Sequence, residues 1–190
     1  MTLHLQMLRH GETTTSGFRG SLDDGLTEHG WSQMRAAVAT AGPWQRLVSS
    51  PLQRCARFAE QLAAERGLPL EQVADLRELH FGRWEGRTAL QLMETDERGL
   101  GLFWEDPYAF TPPEGEPVQA FADRVFAALH RLQRDHDGER VLLITHAGVM
   151  RLVLAHARGL APRQLLQVEV PHGALLGVDI DADGQWREVT

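Results

Sequence analysis

Arg9 and His10 stand directly behind a short apolar run, Leu3 to Leu8, and lead into Gly11-Glu12-Thr13. Far downstream, Thr145-His146-Ala147-Gly148 stands behind a second apolar run, Val141 to Ile144. A neutral imidazole, with an ordinary pKa of about 6.5, has a free lone pair near neutral pH and can attack an electrophile. A neighbouring guanidinium can hold the charge of a phosphate meanwhile. Arg54 falls in the first turn of the helix expected after Ser49-Ser50-Pro51, where backbone N–H groups and the helix dipole also favour an anion. Phosphoryl transfer needs positive charge around the phosphate oxygens, a nucleophile in line, and a proton for the leaving oxygen. His10 can be the nucleophile, while Arg9, Arg54 and His146 can neutralise the phosphate. On an ideal strand Arg9 alternates away from His10, so it reaches the same ligand only if the chain turns, which Gly11 would allow. Each of these residues alone has an ordinary reading as a surface, capping or solvated side chain. Two histidines at strand exits with an arginine at a helix start make a phosphate site the better reading.

These residues need strands and helices in alternation. Leu3–Leu8, Leu47-Val48 and Val141–Ile144 read as buried strands. Thr27 caps a helix carrying Trp31, Met34 and Val38 on one face, stopped by Gly42-Pro43. Ser50 reads as the cap of a second helix, with Pro51 at its first position, Cys55, Phe58 and Leu62 inward, and Gly67 past its end. Val73 to Leu79 reads as extended. Thr88-Ala89-Leu90-Gln91 is a capping box. Residues 99–117 hold Pro107, Pro112, Pro113 and Pro117 and read as an irregular excursion over the site. Helices carrying Phe121, Val125, Ala128 and Leu132, and then Val149 to Ala157, flank the downstream strand. Asp183-Gly184 marks a terminal hairpin between Ala174–Ile180 and Gln185–Val189. Asp179-Ile180-Asp181-Ala182-Asp183-Gly184 also resembles the start of a calcium loop, but its terminal Glu would fall at Thr190 and its flanks read as strands. The pattern implies an α/β three-layer sandwich: a mostly parallel central sheet, helices on both faces, and an antiparallel strand near the C-terminus. In such sheets ligands sit beyond the carboxyl ends of the strands, where His10, Ser49-Ser50 and His146 all fall.

At 190 residues the chain is expected to form one domain over 1–190. Its net charge of −7 argues against a nucleic-acid partner but not against a small anion held by a few arginines. No apolar run is long enough for a membrane span, and no secretory signal is visible. Cys55, the one cysteine, reads as a buried apolar group, and a cytoplasmic location is the expectation. Neither a metal nor a cofactor is expected where arginines and histidines neutralise the phosphate.

Arg9-His10-Gly11-Glu12-Thr13 resembles the signature of the histidine phosphatase superfamily, the phosphoglycerate-mutase-like proteins. Further matches follow in that family's order: Leu26-Thr27-Glu28-His29-Gly30 with Gln33 behind it, and Ser49-Ser50-Pro51-Leu52-Gln53-Arg54. Leu76-Arg77-Glu78-Leu79 with Phe81-Gly82-Arg83-Trp84-Glu85-Gly86 comes next, and then Thr145-His146-Ala147-Gly148-Val149. The resemblance implies that His10 takes the phosphoryl group as phosphohistidine and that Arg9, Arg54 and His146 hold its oxygens. Glu78 would protonate the leaving alcohol and then help a water remove the phosphate. Without the resemblance Glu78 is one loop glutamate among 26 acidic residues, and Glu12 is a rival acid, better read as fixing the Arg-His loop. The catalytic set is thus His10, Glu78, His146, Arg9 and Arg54. The binding set is Arg9, Arg54, His146, Ser16, Arg19, Ala147 and Trp84. The family often carries Asn six residues after its nucleophile, where this chain has Ser16; Ser16 or Arg19 is left to take that place.

The small size and Phe18-Arg19-Gly20-Ser21-Leu22-Asp23-Asp24 resemble the bacterial alpha-ribazole phosphatases, which act in cobalamin biosynthesis. The expected partner is therefore a small phosphorylated metabolite, alpha-ribazole 5′-phosphate first. Its flat benzimidazole could stack on Trp84, Phe103, Trp104, Tyr108 or Phe110, although these aromatics could equally pin the excursion to the core. Alternatives are mutase-type phosphoryl transfer, a broad-specificity sugar-phosphate phosphatase, and a non-catalytic phosphate sensor. The oligomeric state is open, with a homodimer as one option.

Overall fold

The computed structural model describes residues 1–189. Six strands form one sheet in the order β3-β2-β4-β1-β5-β6. They are β1 (Leu3–Arg9), β2 (Arg46–Ser49), β3 (Leu70–Gln72), β4 (Arg140–Thr145), β5 (Leu175–Ile180) and β6 (Trp186–Val189). β1, β2 and β3 run parallel to β4 or to one another, while β5 is antiparallel to both β1 and β6. The expected sandwich with an antiparallel strand near the C-terminus is what forms.

The helices are α1 (Glu28–Val38), α2 (Gln53–Arg66), α3 (Ala89–Thr95), α4 (Glu97–Glu105), α5 (Val118–Asp135) and α6 (Ala147–Ala157). Alternation along the strands divides the core in two. Val141 and Leu143 of β4, with Leu3, Leu5 and Met7 of β1, pack against α5 and α6. Leu142 and Ile144, with Leu8, pack against α1 and α2. A strand covered on both faces must be apolar throughout, which is why Val141–Ile144 reads as an unbroken run.

Local chemistry sets several boundaries. The Thr27 hydroxyl accepts from Gly30 N at 3.0 Å, and the Thr88/Gln91 capping box forms. The second helix departs from expectation: it begins at Gln53 with Leu52 as cap, not at Pro51. The Ser50 hydroxyl is drawn to His146 instead, and Arg54 becomes the second helical residue. Val73–Leu79 is not a strand; β3 lies upstream, and a 3₁₀ turn occupies Ala74–Leu76. Part of the 99–117 excursion is regular. Its prolines all lie after Glu105, which leaves Glu97–Glu105 free to form α4, capped by the Asp96 side chain on Gly99 N. Asp106 to Pro117 is the irregular part.

One backbone contact sets how α1 sits against the loop that carries His10. A Cβ on Gly11 would lie 2.1 Å from the Gly30 oxygen, and one on Gly30 would lie 2.1 Å from the Glu12 oxygen. Gly11 is thus required for close approach and does not adopt a positive φ. Gly30→Ala is expected to cost about 1–3 kcal/mol, the usual size of an overpacking strain, and to lower turnover because the loop carrying His10 must shift. Gly101→Ala, in α4 with open space around it, should be neutral or stabilising by up to about 1 kcal/mol. Urea unfolding of the two variants checks this.

Candidate active site

The parallel register pairs Arg9 with Thr145, so the next residues, His10 and His146, leave the sheet side by side. His10 N donates to Thr145 O at 2.9 Å, which extends the ladder by one bond. The two imidazole rings meet edge to face at 5.3 Å between centroids. Both are buried.

Their hydrogen bonds assign the protons. His10 Nδ1 lies 2.8 Å from the Gly11 carbonyl, which can only accept, so Nδ1 carries the hydrogen and Nε2 the lone pair. Arg54 Nε can only donate, and it lies 3.3 Å from His146 Nδ1; His146 therefore carries its hydrogen on Nε2, facing Ser50 Oγ at 2.8 Å. Burial, followed by the charge of Arg54, pushes the pKa of both histidines well below the ordinary value. Arg9 adds to the shift on each. Both rings are neutral at pH 7.

Arg54 is fully buried. It donates to Leu22 O at 2.8 Å, to Gly20 O at 2.7 Å and to His146, which leaves two of its N–H groups uncommitted. Asp24, at 3.7 Å, is its counter-charge. Arg9 is partly buried and donates to Val170 O at 2.5 Å. Burial lowers its pKa to about 10, with Glu78 acting in the other direction. Arg9 and Arg54 thus act on the same two imidazoles although Arg9 starts from the other face of β1.

Glu78 is buried on an irregular segment. Its Oε2 accepts from Gly148 N at 3.0 Å, at the first turn of α6, and its Oε1 accepts from Leu79 N at 2.9 Å. A Cβ at position 148 would lie 2.1 Å from Glu78 Oε1, so the seat of this carboxylate requires glycine there. Ala147, the first residue of α6, is buried beside His146. Glu12 is held away from this chemistry: its carboxylate accepts from Thr27 Oγ1 at 2.7 Å and its amide donates to Gln33 Oε1.

Beyond Glu78 opens a cavity of about 350 Å³ lined by Phe18, Phe81, Trp104, Phe121 and Arg151, among others. This sorts the aromatic residues named from sequence. Trp104 is half exposed on the cavity rim. Trp84 is a correction: it is 1% exposed, stacks on Phe110 at 5.7 Å, meets Phe103 edge to face, and donates its indole N–H to Asp96. It builds the wall behind the cavity and offers no surface to a ligand. Ser16 is exposed, and no side-chain hydrogen bond joins it to the histidines among the described contacts. Arg19 is partly buried. It pairs with Asp24 at 2.9 Å and donates to Thr15 O.

Two further residues complete the site. Ser50 faces His146 rather than capping a helix. His172, in the loop before β5, brings its ring centre to 5.6 Å from that of His10. The signal for it lies in topology: β5 runs antiparallel to β1 and pairs Leu175 with Leu8, so the loop before β5 lands beside the chain leaving β1. Cys55 Sγ lies 3.7 Å from His146 Nε2, and burial pushes its thiol pKa up, so it remains an inert packing group.

Comparison with known proteins gives this geometry its context. The model of the histidine phosphatase superfamily (branch 1) matches residues 5–190. The chain belongs to that superfamily. An adenosylcobalamin/alpha-ribazole phosphatase of Salmonella typhimurium is 28% identical over 183 residues, covering 94% of this chain and 91% of that protein. A glucosyl-3-phosphoglycerate phosphatase of Mycolicibacterium vanbaalenii is 34% identical over 168 residues, covering 82% and 74%. The solved structure of Bacillus stearothermophilus YhfR superposes with a TM-score of 0.90 at 27% identity, covering 99% of this chain and 96% of that one. The activity of this superfamily member is that of a phosphoric monoester hydrolase. No helix among the described residues is long and apolar enough to cross a membrane.

The depressed histidines have a consequence for stability. Burial and the charges of Arg9 and Arg19 lower the pKa of His172 to about 4, against about 6.5 in an unfolded chain. As pH falls through that window the unfolded state binds the proton and the folded state does not, so stability present above about pH 6.5 is lost toward about pH 4. His10 and His146 add to the loss in the same direction. Melting temperatures between pH 7.5 and 4.5 should fall less steeply for His172→Asn than for the unsubstituted protein. Parallel curves would show that His172 is not held neutral.

Proposed function

We propose that this protein is a phosphomonoesterase working through phosphohistidine at His10, with alpha-ribazole 5′-phosphate of cobalamin biosynthesis as its substrate and the cytoplasm as its location. The observation that carries the reading is the free lone pair on His10 Nε2, in a neutral ring beside His146 and under the charges of the buried Arg54 and the partly buried Arg9. In the first step Nε2 attacks phosphorus, an N–P bond forms, the P–O bond to the alcohol breaks, and Glu78 gives its proton to the leaving oxygen. In the second step a water attacks the phosphohistidine and Glu78 takes its proton. The N–P bond breaks, inorganic phosphate leaves, and the lone pair returns to His10. Arg9 and the uncommitted N–H groups of Arg54 balance the phosphate charge, and the Nε2 hydrogen of His146 turns from Ser50 to a phosphate oxygen.

The cavity beyond Glu78 supports the choice of alcohol. Its aromatic walls and the exposed ring of Trp104 suit a flat heteroaromatic group better than a polyhydroxylated sugar. A second reading has its own support: Arg151 in the same cavity would suit the carboxylate of a glucosyl-phosphoglycerate, the substrate class named for one of the relatives.

Phosphate release across alpha-ribazole 5′-phosphate, glucosyl-3-phosphoglycerate, 3-phosphoglycerate, glycerol phosphate and nucleotides, ranked by kcat/KM, tests the choice. The ribazole ester is expected to lead; a phosphoglycerate derivative in first place moves the assignment to the second reading. His10→Ala should lose activity on every ester by roughly 10³- to 10⁶-fold, the scale of losing a covalent nucleophile. Trp104→Ala should raise KM for the ribazole ester about 3- to 10-fold, the worth of one aromatic stacking contact, and leave glycerol phosphate unchanged.

A further inference from the structure

Glu78 lies on a segment that no sheet or helix holds. β3 ends at Gln72, a single 3₁₀ turn follows at Ala74–Leu76, and the chain then runs without regular pairing to Phe81. A general acid must be held within a fraction of an ångström of its target, because misplacement by about 1 Å can cost 10²-fold in rate. The carboxylate is held by Gly148 N and Leu79 N. The backbone beneath it is held chiefly by Arg124 of α5, with a longer bond of 3.5 Å from Thr145 Oγ1 to Leu76 O behind it.

Arg124 NH1 donates to Asp75 O at 2.7 Å and to Arg77 O at 2.8 Å. NH2 donates to Glu78 O at 3.0 Å and to Glu116 Oε2 at 2.8 Å, and Nε donates to Glu116 Oε1 at 2.7 Å. All five N–H groups of the guanidinium are spent on this segment and on Glu116. Glu116, from the irregular part of the excursion, closes the other side. Its amide donates to His80 O at 2.8 Å, and its carboxylate accepts from His80 N at 3.3 Å. The Arg124 guanidinium lies 4.8 Å from the centre of the Phe121 ring, which fixes its plane. Its base is firm, since Phe121, Ala122, Val125, Ala128 and Leu129 seat α5 in the core.

We propose that Arg124, with Glu116, is a positioning residue for the general acid: it fixes the Asp75–His80 segment so that Glu78 meets the leaving oxygen, and so sets how well the enzyme cleaves esters of poor leaving groups. The inference rests on reading Glu78 as the acid. A planar five-donor fork is required; an ammonium at the same place could not bridge three carbonyls and a carboxylate at once.

The test compares kcat/KM on p-nitrophenyl phosphate, whose leaving group needs little proton assistance, with that on an alkyl ester such as glycerol phosphate. Glu78→Gln is the benchmark, and Arg124→Lys and Glu116→Gln are the test variants, each first checked for an unchanged circular dichroism spectrum. Arg124→Lys should lose about 10- to 100-fold on the alkyl ester and less than about 3-fold on the aryl ester, whose departure draws little on an acid. Glu116→Gln should lose in the same direction, by less. Arg124→Ala assayed with added guanidinium chloride should recover alkyl-ester turnover in part. Equal losses on both esters, or none, in folded Arg124→Lys and Glu116→Gln would overturn the proposal. If Arg124→Lys does not fold, Glu116→Gln alone decides by the same criterion. A Glu78→Gln enzyme that loses both esters equally would remove the acid assignment and this inference with it. A selective loss in Glu78→Gln without one in the test variants would remove the inference alone.

Discussion

Parallel pairing of β1 with β4 in the register that sets Arg9 opposite Thr145 is the constraint from which the site follows. Residues 10 and 146 are neighbours because the ladder runs one bond past β1, through His10 N to Thr145 O. The register is fixed by burial. Leu3, Leu5 and Met7 face α5 and α6 while Leu8 faces α1 and α2, so a slip of one residue would exchange both faces and carry the polar His4 and Gln6 into the α5/α6 core. The sheet core therefore sets the distance between the imidazoles. Arg54 then ties the pair to the loop at Gly20–Leu22, and Gly11 against Gly30 brings α1 to the same place.

The electrostatics follow from that crowding. The chain as a whole is acidic, yet this pocket gathers Arg9, Arg19, Arg54 and three histidines. Buried cations without counter-charges are costly, and two devices reduce the cost here. The histidines stay neutral, and Asp24 stands by Arg19 and Arg54. What remains is a local surplus of positive charge from the arginines, matched to a dianion arriving from outside. The same low-dielectric setting that keeps His10 unprotonated leaves its Nε2 lone pair free.

How much of this could be read from sequence depended on whether local or non-local packing decides the matter. His10, His146 and Arg54 were legible because strand exits and helix starts are local features, and alternating strands and helices bring such ends together. The start of α2 was misplaced by two residues because the Ser50 hydroxyl answers to His146, 96 positions away. Four prolines hid α4, although all of them lie beyond its last residue. Trp84 looked available to a ligand until Phe18, Phe103 and Phe110 closed around it, a contact set no periodicity reveals. His172 required knowing that β5 runs antiparallel to β1. Glu78 came from family resemblance alone; its physical rationale, a glycine at position 148 and amide donors from two segments, exists only in three dimensions.

Trapping the covalent intermediate tests the central claim most directly. Radiolabelled substrate mixed with enzyme, quenched in base within milliseconds and digested under conditions that preserve phosphoramidates, should place the label on the peptide containing Leu8 to Glu12, at the imidazole of His10. Label on His146 or His172, or complete turnover with no bound phosphate at any time, would contradict it.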